Sequence, residues 1–334
     1  MKFLRYILFP IVPIYFLVTW TRNKLYDSNL KKSTSYSFPV ICVGNLSVGG
    51  TGKSPMIEYL IRLLKDHYKL ATLSRGYKRQ TQGFKLANAQ DSAKTLGDEP
   101  FQFYNKFGKD VLVAVDANRQ AGIEQLRALS NKPDVILLDD AFQHRKVQAG
   151  FNILLTSYYQ LYSKDLVLPT GDLREPKSGA KRAHVIIVTK CPDTLTELEK
   201  EQIKNSLQPL ANQLVLFSRI NYSKVVYSAE KSMALKDLKA FTLVTGIAKP
   251  KPLLAFLKKS QLEFRHLKFE DHHIFTEKEI AQLATLDCIL TTEKDYMRLK
   301  DQITLRDKLF YLPIEVSLDA PDLFNKAVLG FVNS

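Results

Sequence analysis

Residues Pro39-Val-Ile-Cys-Val-Gly44 run directly into Asn45-Leu-Ser-Val-Gly-Gly-Thr-Gly-Lys-Ser54. The first six are short, apolar and rich in β-branched side chains, the pattern of a buried parallel strand. Beyond Ser54, apolar Met56, Ile57, Leu60, Ile61, Leu63 and Leu64 recur at helical spacing, and Pro55 falls in the first turn, where a missing N–H costs little. Strand, glycine-rich turn, Gly-Lys-Ser and helix make a P-loop arrangement. Glycines let successive N–H groups curl around phosphate oxygens, and the helix amino terminus adds partial positive charge. Ser47, Val48, Gly49, Gly50, Thr51, Gly52, Lys53 and Ser54 are the expected nucleotide-binding residues. Lys53 can reach the terminal phosphates and the Ser54 hydroxyl can ligate Mg²⁺. Ser47 stands where glycine is usual, so Gly49 and Gly50 are expected to supply the flexibility.

Working outward, Asp134-Val-Ile-Leu-Leu-Asp-Asp140 reads as a second buried strand with carboxylates at its carboxyl end. After a P-loop, an acid in that place holds Mg²⁺, and Asp139 and Asp140 are both candidates. Further strand-like runs are Lys69 to Leu73, Val111 to Val115, Asn152 to Leu155, Val185 to Thr189 and Leu214 to Phe217, with helical patterns between most of them. The alternation predicts an α/β fold, a P-loop NTPase-type parallel sheet with helices on both faces. Ligands of such sheets sit beyond the strands' carboxyl ends, where Lys53, Arg75, Asp98, Arg119 and Asp139 all fall. From about Tyr222 the pattern restarts and predicts a smaller second α/β domain.

The chain has 334 residues, a formal net charge of +14 and three dispersed cysteines without metal-binding spacing. The charge calls for an anionic partner. Tyr6 to Trp20 carry no charge, but about 20 apolar residues are needed to span a bilayer, and Pro10 and Pro13 interrupt a straight helix. Flanking Lys2, Arg5, Arg22, Lys24, Lys31 and Lys32 suit a segment lying at an anionic membrane surface. A signal peptide and a buried core helix are the competing readings. No nucleic-acid-binding motif is present and the basic residues are spread out, so no nucleic acid partner is expected.

Taken together, Asn45 to Pro55 (NLSVGGTGKSP), Ser74 to Tyr77 (SRGY), Gly97 to Pro100 (GDEP), Asp139 to His144 (DDAFQH), Leu173 to Pro176 (LREP), Asp271 to His273 (DHH) and Thr292 to Asp295 (TEKD) resemble the tetraacyldisaccharide 4'-kinase family. The resemblance covers nearly the whole chain. It implies ATP and Mg²⁺ as cofactors and transfer of the γ-phosphate to the 4'-hydroxyl of an acylated glucosamine disaccharide 1-phosphate lipid. It implies Asp98 as general base, with a histidine of DHH, His272 in preference to His273, orienting it. It also implies a peripheral or monotopic enzyme on the cytoplasmic face of the inner membrane. Ala141 and Gln148 to Gly150 depart from the family's commoner residues.

On this reading Lys53 stabilises the transferring phosphoryl group, and Ser54 with Asp139 or Asp140 positions the metal. Arg75, Glu99, Arg119, Gln143, His144 and Arg174 are candidate substrate contacts. The expected organisation is 1–34 as a membrane-associated segment, 35–221 as the kinase core and 222–334 as a domain closing over the cleft, in a chain acting as a monomer. TEKD invites comparison with the NKxD base-reading motif of GTPases. The alternative function is a membrane-associated P-loop switch ATPase.

Overall fold

The computed structural model describes residues 5–271 and 273–334. A 3-10 turn, Tyr6–Ile11, leads into helix α1, Val12–Asp27. Pro10 lies inside the turn and Pro13 in the first turn of α1, so the prolines set a break between two short helices. Then come β1 (Val40–Asn45), α2 (Lys53–Leu64), β2 (Leu70–Ser74), β3 (Lys85–Leu86), α3 (Ala93–Leu96), α4 (Asp98–Phe107), β4 (Val111–Val115), α5 (Arg119–Arg127), β5 (Val135–Asp139) and β6 (Phe151–Ser157). The first half closes with β7 (Val185–Thr189), α6 (Glu197–Leu207) and β8 (Leu214–Tyr222).

These strands form one sheet in the order β15-β8-β7-β6-β1-β5-β2-β4-β3 (β15 is Ile314–Leu318). Only the edge strands β3 and β15 run antiparallel to their neighbours. Side chains alternate between faces. Val40 and Cys42 join Leu73, Ile123 and Leu154 on one side, while Ile41 and Val43 join Met56, Ile57, Leu60, Ile61 and Phe103 on the other. Both faces are covered, which is why the strands read as unbroken apolar runs.

The smaller sheet contains β9 (Val225–Tyr227), β10 (Ser232–Ala234), β11 (Phe241–Thr245), β12 (Phe264–Lys268), β13 (Ile289–Thr292) and β14 (Leu309–Leu312), in the order β10-β9-β14-β13-β11-β12. Helices α7 (Lys251–Lys259), α8 (Glu277–Ala284) and α9 (Glu293–Leu299) connect its strands. The expected unit 222–334 therefore divides. Residues 225–312 build the small sheet, whereas β15 pairs with β8, and α10 (Pro321–Val332) buries Phe324 and Val328 against the large one. Ile314-Glu-Val-Ser-Leu318 alternates like any half-buried strand, so its pattern does not reveal which sheet it joins.

Among the described residues no helix is long and apolar enough to cross a membrane. The reading of Tyr6 to Trp20 as a buried core helix is overturned. Ile7, Phe9, Ile11, Ile14, Leu17, Val18 and Trp20 all stand exposed. The opposite side of α1 is fastened to the core. Tyr15 donates to the Arg174 carbonyl (2.9 Å), Arg22 to the Gln143 carbonyl (2.8 Å) and the buried Asn23 amide to Glu175 Oε2 (2.6 Å).

Candidate active site

The turn between β1 and α2 has the shape a phosphate requires. Gly49 and Gly52 take φ of 102° and 90°, a region closed to most side chains, while Gly50 does not. The flexibility expected of the pair at 49 and 50 is thus divided between 49 and 52. The Asn45 amide donates to the Thr51 hydroxyl (2.8 Å) and fixes the crest of the turn. Among the described residues no protein acceptor takes the N–H groups of Gly49, Gly50, Thr51 or Gly52. Val48 differs: its N–H is already bonded to the Asp172 carbonyl at 2.7 Å, so it offers a side chain rather than an amide to a ligand. Ser47 is buried and bridges to Leu173. Gly44 is needed for a different reason, because a Cβ there would come within 2.5 Å of the Phe142 Cβ.

Acidic groups gather opposite the loop. Lys53 Nζ lies 3.7 Å from Asp140 Oδ1, and Ser54 Oγ donates to Glu99 Oε1 at 3.1 Å. Ser74 Oγ donates to one oxygen of Asp139 at 3.3 Å, while the other, Oδ1, is buried without a hydrogen-bond partner. Burial, then repulsion from Glu99 and Asp140, pushes the Asp139 carboxyl up to about 7. Glu99, which burial alone would raise, is held below the ordinary carboxylate range by Lys294 and Lys53. An orphaned carboxylate oxygen beside two further acids and a serine hydroxyl fits a divalent cation. No three His, Cys, Asp or Glu side chains form a closed metal cage among the described residues. Mg²⁺ keeps waters and substrate phosphates among its ligands, so a site for it does not require a closed protein cage.

Asp98 and Glu99 open α4, where the helix dipole favours negative charge. Gly97 precedes them at φ 93° and turns the chain between α3 and α4. Arg298 of α9 donates to Asp98 Oδ2, and Lys294 of the same helix lies 3.0 Å from Glu99 Oε1. The smaller domain thus brings two cations to two acids of the larger one. Neither cation was anticipated from sequence; the only signal was their position in and just after TEKD. Two other residues of that motif serve their own domain: Thr292 caps α9, and buried Asp295 accepts from the Gly246 N–H at 2.9 Å. His272 lies outside the described residues. His273 turns toward Glu279 (3.0 Å) between Phe269 and Phe275, and Glu279 is held down to about 2, first by the Thr276 N–H and then by His273.

The remaining candidates divide into four groups. Arg174 grips Asp140 with Nη1 3.0 and 3.1 Å from its two oxygens, which places it directly beside Lys53. Gln143 and Arg119 are occupied by the framework. Gln143 donates to the Asn45 carbonyl (2.7 Å) and to Glu175 (2.9 Å). Arg119 is buried and donates to the Asp116 and Asp139 carbonyls, so it braces β5 from behind and is not presented to a substrate. His144 has a buried, unpartnered Nε2 and is pushed down to about 4, by burial first and then by Arg119 and Lys146, so it is neutral near pH 7. Arg75 stands exposed just beyond β2.

The profile of the family described as tetraacyldisaccharide-1-P 4'-kinase matches residues 4–333. The chain is 50% identical to the tetraacyldisaccharide 4'-kinase of Flavobacterium johnsoniae, over 99% of this chain and 98% of that one. It is 42% identical to the protein of the same name from Bacteroides thetaiotaomicron, over 97% and 92%. A solved structure from Aquifex aeolicus, described as an "apo" form of LpxK in complex with ATP, superposes with a TM-score of 0.78 at 29% identity, covering 98% of this chain and 99% of that chain. With a match that spans both sheets and the phosphate turn, this chain belongs to the tetraacyldisaccharide 4'-kinase family.

Proposed function

We propose that this chain transfers the γ-phosphate of ATP to the 4'-hydroxyl of a tetraacylated glucosamine disaccharide 1-phosphate. The observation that carries this reading is the row of uncommitted N–H groups at Gly49 to Gly52, running directly into Lys53 and Ser54, which meet Asp140 and Glu99. In a family of 4'-kinases, that row is where the triphosphate belongs. Loop amides and Lys53 stabilise charge on the phosphoryl group in flight. Ser54 and Asp139, with Asp140 alongside, would hold Mg²⁺. When bound, Mg²⁺ would neutralise and orient the phosphates.

Asp98 accepts the proton of the attacking sugar hydroxyl. Arg298 fixes the orientation of its carboxylate from the smaller domain, which we read as the half that closes over the cleft. Arg75, exposed beyond β2, is the cation for the lipid's 1-phosphate, a role arginine suits through paired hydrogen bonds. The exposed apolar side of α1, with the exposed Lys24 beside Trp20, lies on an anionic membrane surface, so that the lipid is phosphorylated without leaving it. This makes the protein peripheral, on the cytoplasmic face where ATP is available.

The test is phosphate transfer from γ-labelled ATP to tetraacyldisaccharide 1-phosphate in detergent micelles with Mg²⁺, for the native chain and Asp98→Ala. Labelled lipid with the native chain alone supports both the kinase and Asp98. Label in both removes Asp98 from the role of base. ATP hydrolysis without labelled lipid replaces the kinase by a switch ATPase.

A further inference from the structure

The strand β7 ends in Thr189, Lys190 follows it, and these two residues meet the phosphate turn from outside. Buried Thr189 donates its hydroxyl to the Thr51 carbonyl at 2.7 Å. The Lys190 ammonium donates to the Gly50 carbonyl at 2.5 Å. In a turn whose N–H groups converge on an anion, the carbonyls must point the other way. Lys190 and Thr189 engage those two carbonyls, at adjacent residues of the crest. The strand order supports the assignment. β7 lies two strands from β1 on the side away from Asp139, so its carboxyl end opens onto the same crevice as the loop.

The charges around Lys190 are unbalanced. Lys53 and Lys294 each have a carboxylate within ion-pair distance, Asp140 and Glu99. Lys190, and Lys249 on the turn after β11, have none among the described residues. Partial burial, then repulsion from Lys249, Lys294 and Lys53, pulls the Lys190 ammonium down to about 8. Lys190 and Lys249 thus bring positive charge toward the loop that no carboxylate among the described residues pairs with, a charge that a bound polyphosphate would balance.

We propose that Lys190 is a positioning residue for the nucleotide: it holds the Gly50 carbonyl back so that the loop's N–H groups face the phosphates, and its charge is balanced by the bound polyphosphate. The inference rests on the phosphate-loop reading above and adds the residue that keeps the loop in its binding shape. Thr189 does the same for the Thr51 carbonyl without the charge.

The experiment measures ATP and ADP binding by calorimetry, together with KM for ATP, KM for the lipid and kcat, for the native chain, Lys190→Met, Lys190→Arg and Thr189→Val. A lost hydrogen bond from a charged donor corresponds to roughly ten-fold or more in affinity. Lys190→Met is therefore expected to weaken ATP and ADP binding at least about ten-fold. KM for ATP should rise in parallel, with kcat within about three-fold and lipid KM unchanged. Lys190→Arg should recover most of the affinity, because a guanidinium can reach the same carbonyl, and Thr189→Val should show a smaller loss. ATP affinity of Lys190→Met within two-fold of native overturns the proposal. So does a fall in kcat at constant KM for ATP, and so does Lys190→Arg binding no better than Lys190→Met while it melts like the native chain. A native chain that binds no ATP overturns the nucleotide site itself, and this inference with it.

Discussion

Lys106 offers the sharpest test of how the two halves of the molecule are joined. It reaches from α4 to Glu58 of α2 at 2.7 Å and to Glu293 of α9 at 2.5 Å, and all three side chains are largely withdrawn from solvent. One ammonium serves two carboxylates. Burial, then Glu58, pushes the Glu293 carboxyl up to about 7 from an ordinary 4.5. A raised carboxyl contributes its stability fully below the unfolded value and loses it as pH rises through the folded one. Lys106→Met keeps most of the volume and removes the cation. Removing one member of a buried ionic group costs about 3–5 kcal/mol, and that figure applies above pH 7, where Glu293 carries its charge. At pH 5 Glu293 is protonated, and Glu58 keeps Arg62 and the Gln102 amide, so the loss falls toward the ~1 kcal/mol of a single hydrogen bond. The assay is urea unfolding of both proteins at pH 5 and pH 8, followed by circular dichroism and by fluorescence, since two domains need not unfold together. A destabilisation that is the same at both pH values would refute the reasoning. So would one below about 1 kcal/mol at pH 8.

Three further outcomes are expected. Arg298→Met should lower kcat at least about ten-fold with ATP affinity within two-fold, because the residue acts on Asp98 and general base catalysis contributes roughly 10²–10⁴; an equal loss of ATP binding counts against it. Gly44→Ala should cost about 1–3 kcal/mol in a melting experiment, through overpacking against Phe142, and an unchanged melting curve would show that the backbone yields there. Ile14→Asp with Leu17→Asp should leave ATP binding intact while cutting co-sedimentation with anionic lipid vesicles by about ten-fold or more, given ~1.5–3 kcal/mol for each large apolar side chain. Unchanged sedimentation removes α1 from membrane docking.

Much of the large sheet was legible because burial on both faces leaves a plain signature: Val111 to Val115 and Val185 to Thr189 are strands at the very bounds their apolar runs suggest. The phosphate turn was legible because local geometry demands its glycines, although Gly52, not Gly50, takes the second left-handed position. Edge strands were harder. β12, Phe-Arg-His-Leu-Lys, faces solvent along much of its length and carries no such run. Long-range pairings were out of reach, since nothing near Arg298 in the chain announces Asp98, 200 residues away. Arg119 misled for a related reason. A cation after a strand has the same pattern whether it faces a ligand or braces a neighbouring carbonyl, and only packing distinguishes the two.

The passage between the two sheets is a matched ribbon, β8 and β15, in register from Tyr222 with Ile314 to Ser218 with Leu318. The chain departs and returns at adjacent points, so residues 225–312 form a closed excursion from an otherwise continuous kinase core. A single-strand tether would let the excursion swivel freely. Two strands laced by hydrogen bonds leave it chiefly one freedom, flexing about an axis across the ribbon. If that unit closes over the cleft as proposed, Arg298 and Lys294 would swing together as one pair on α9, and Asp98 and Glu99 would gain or lose their cations in the same stroke.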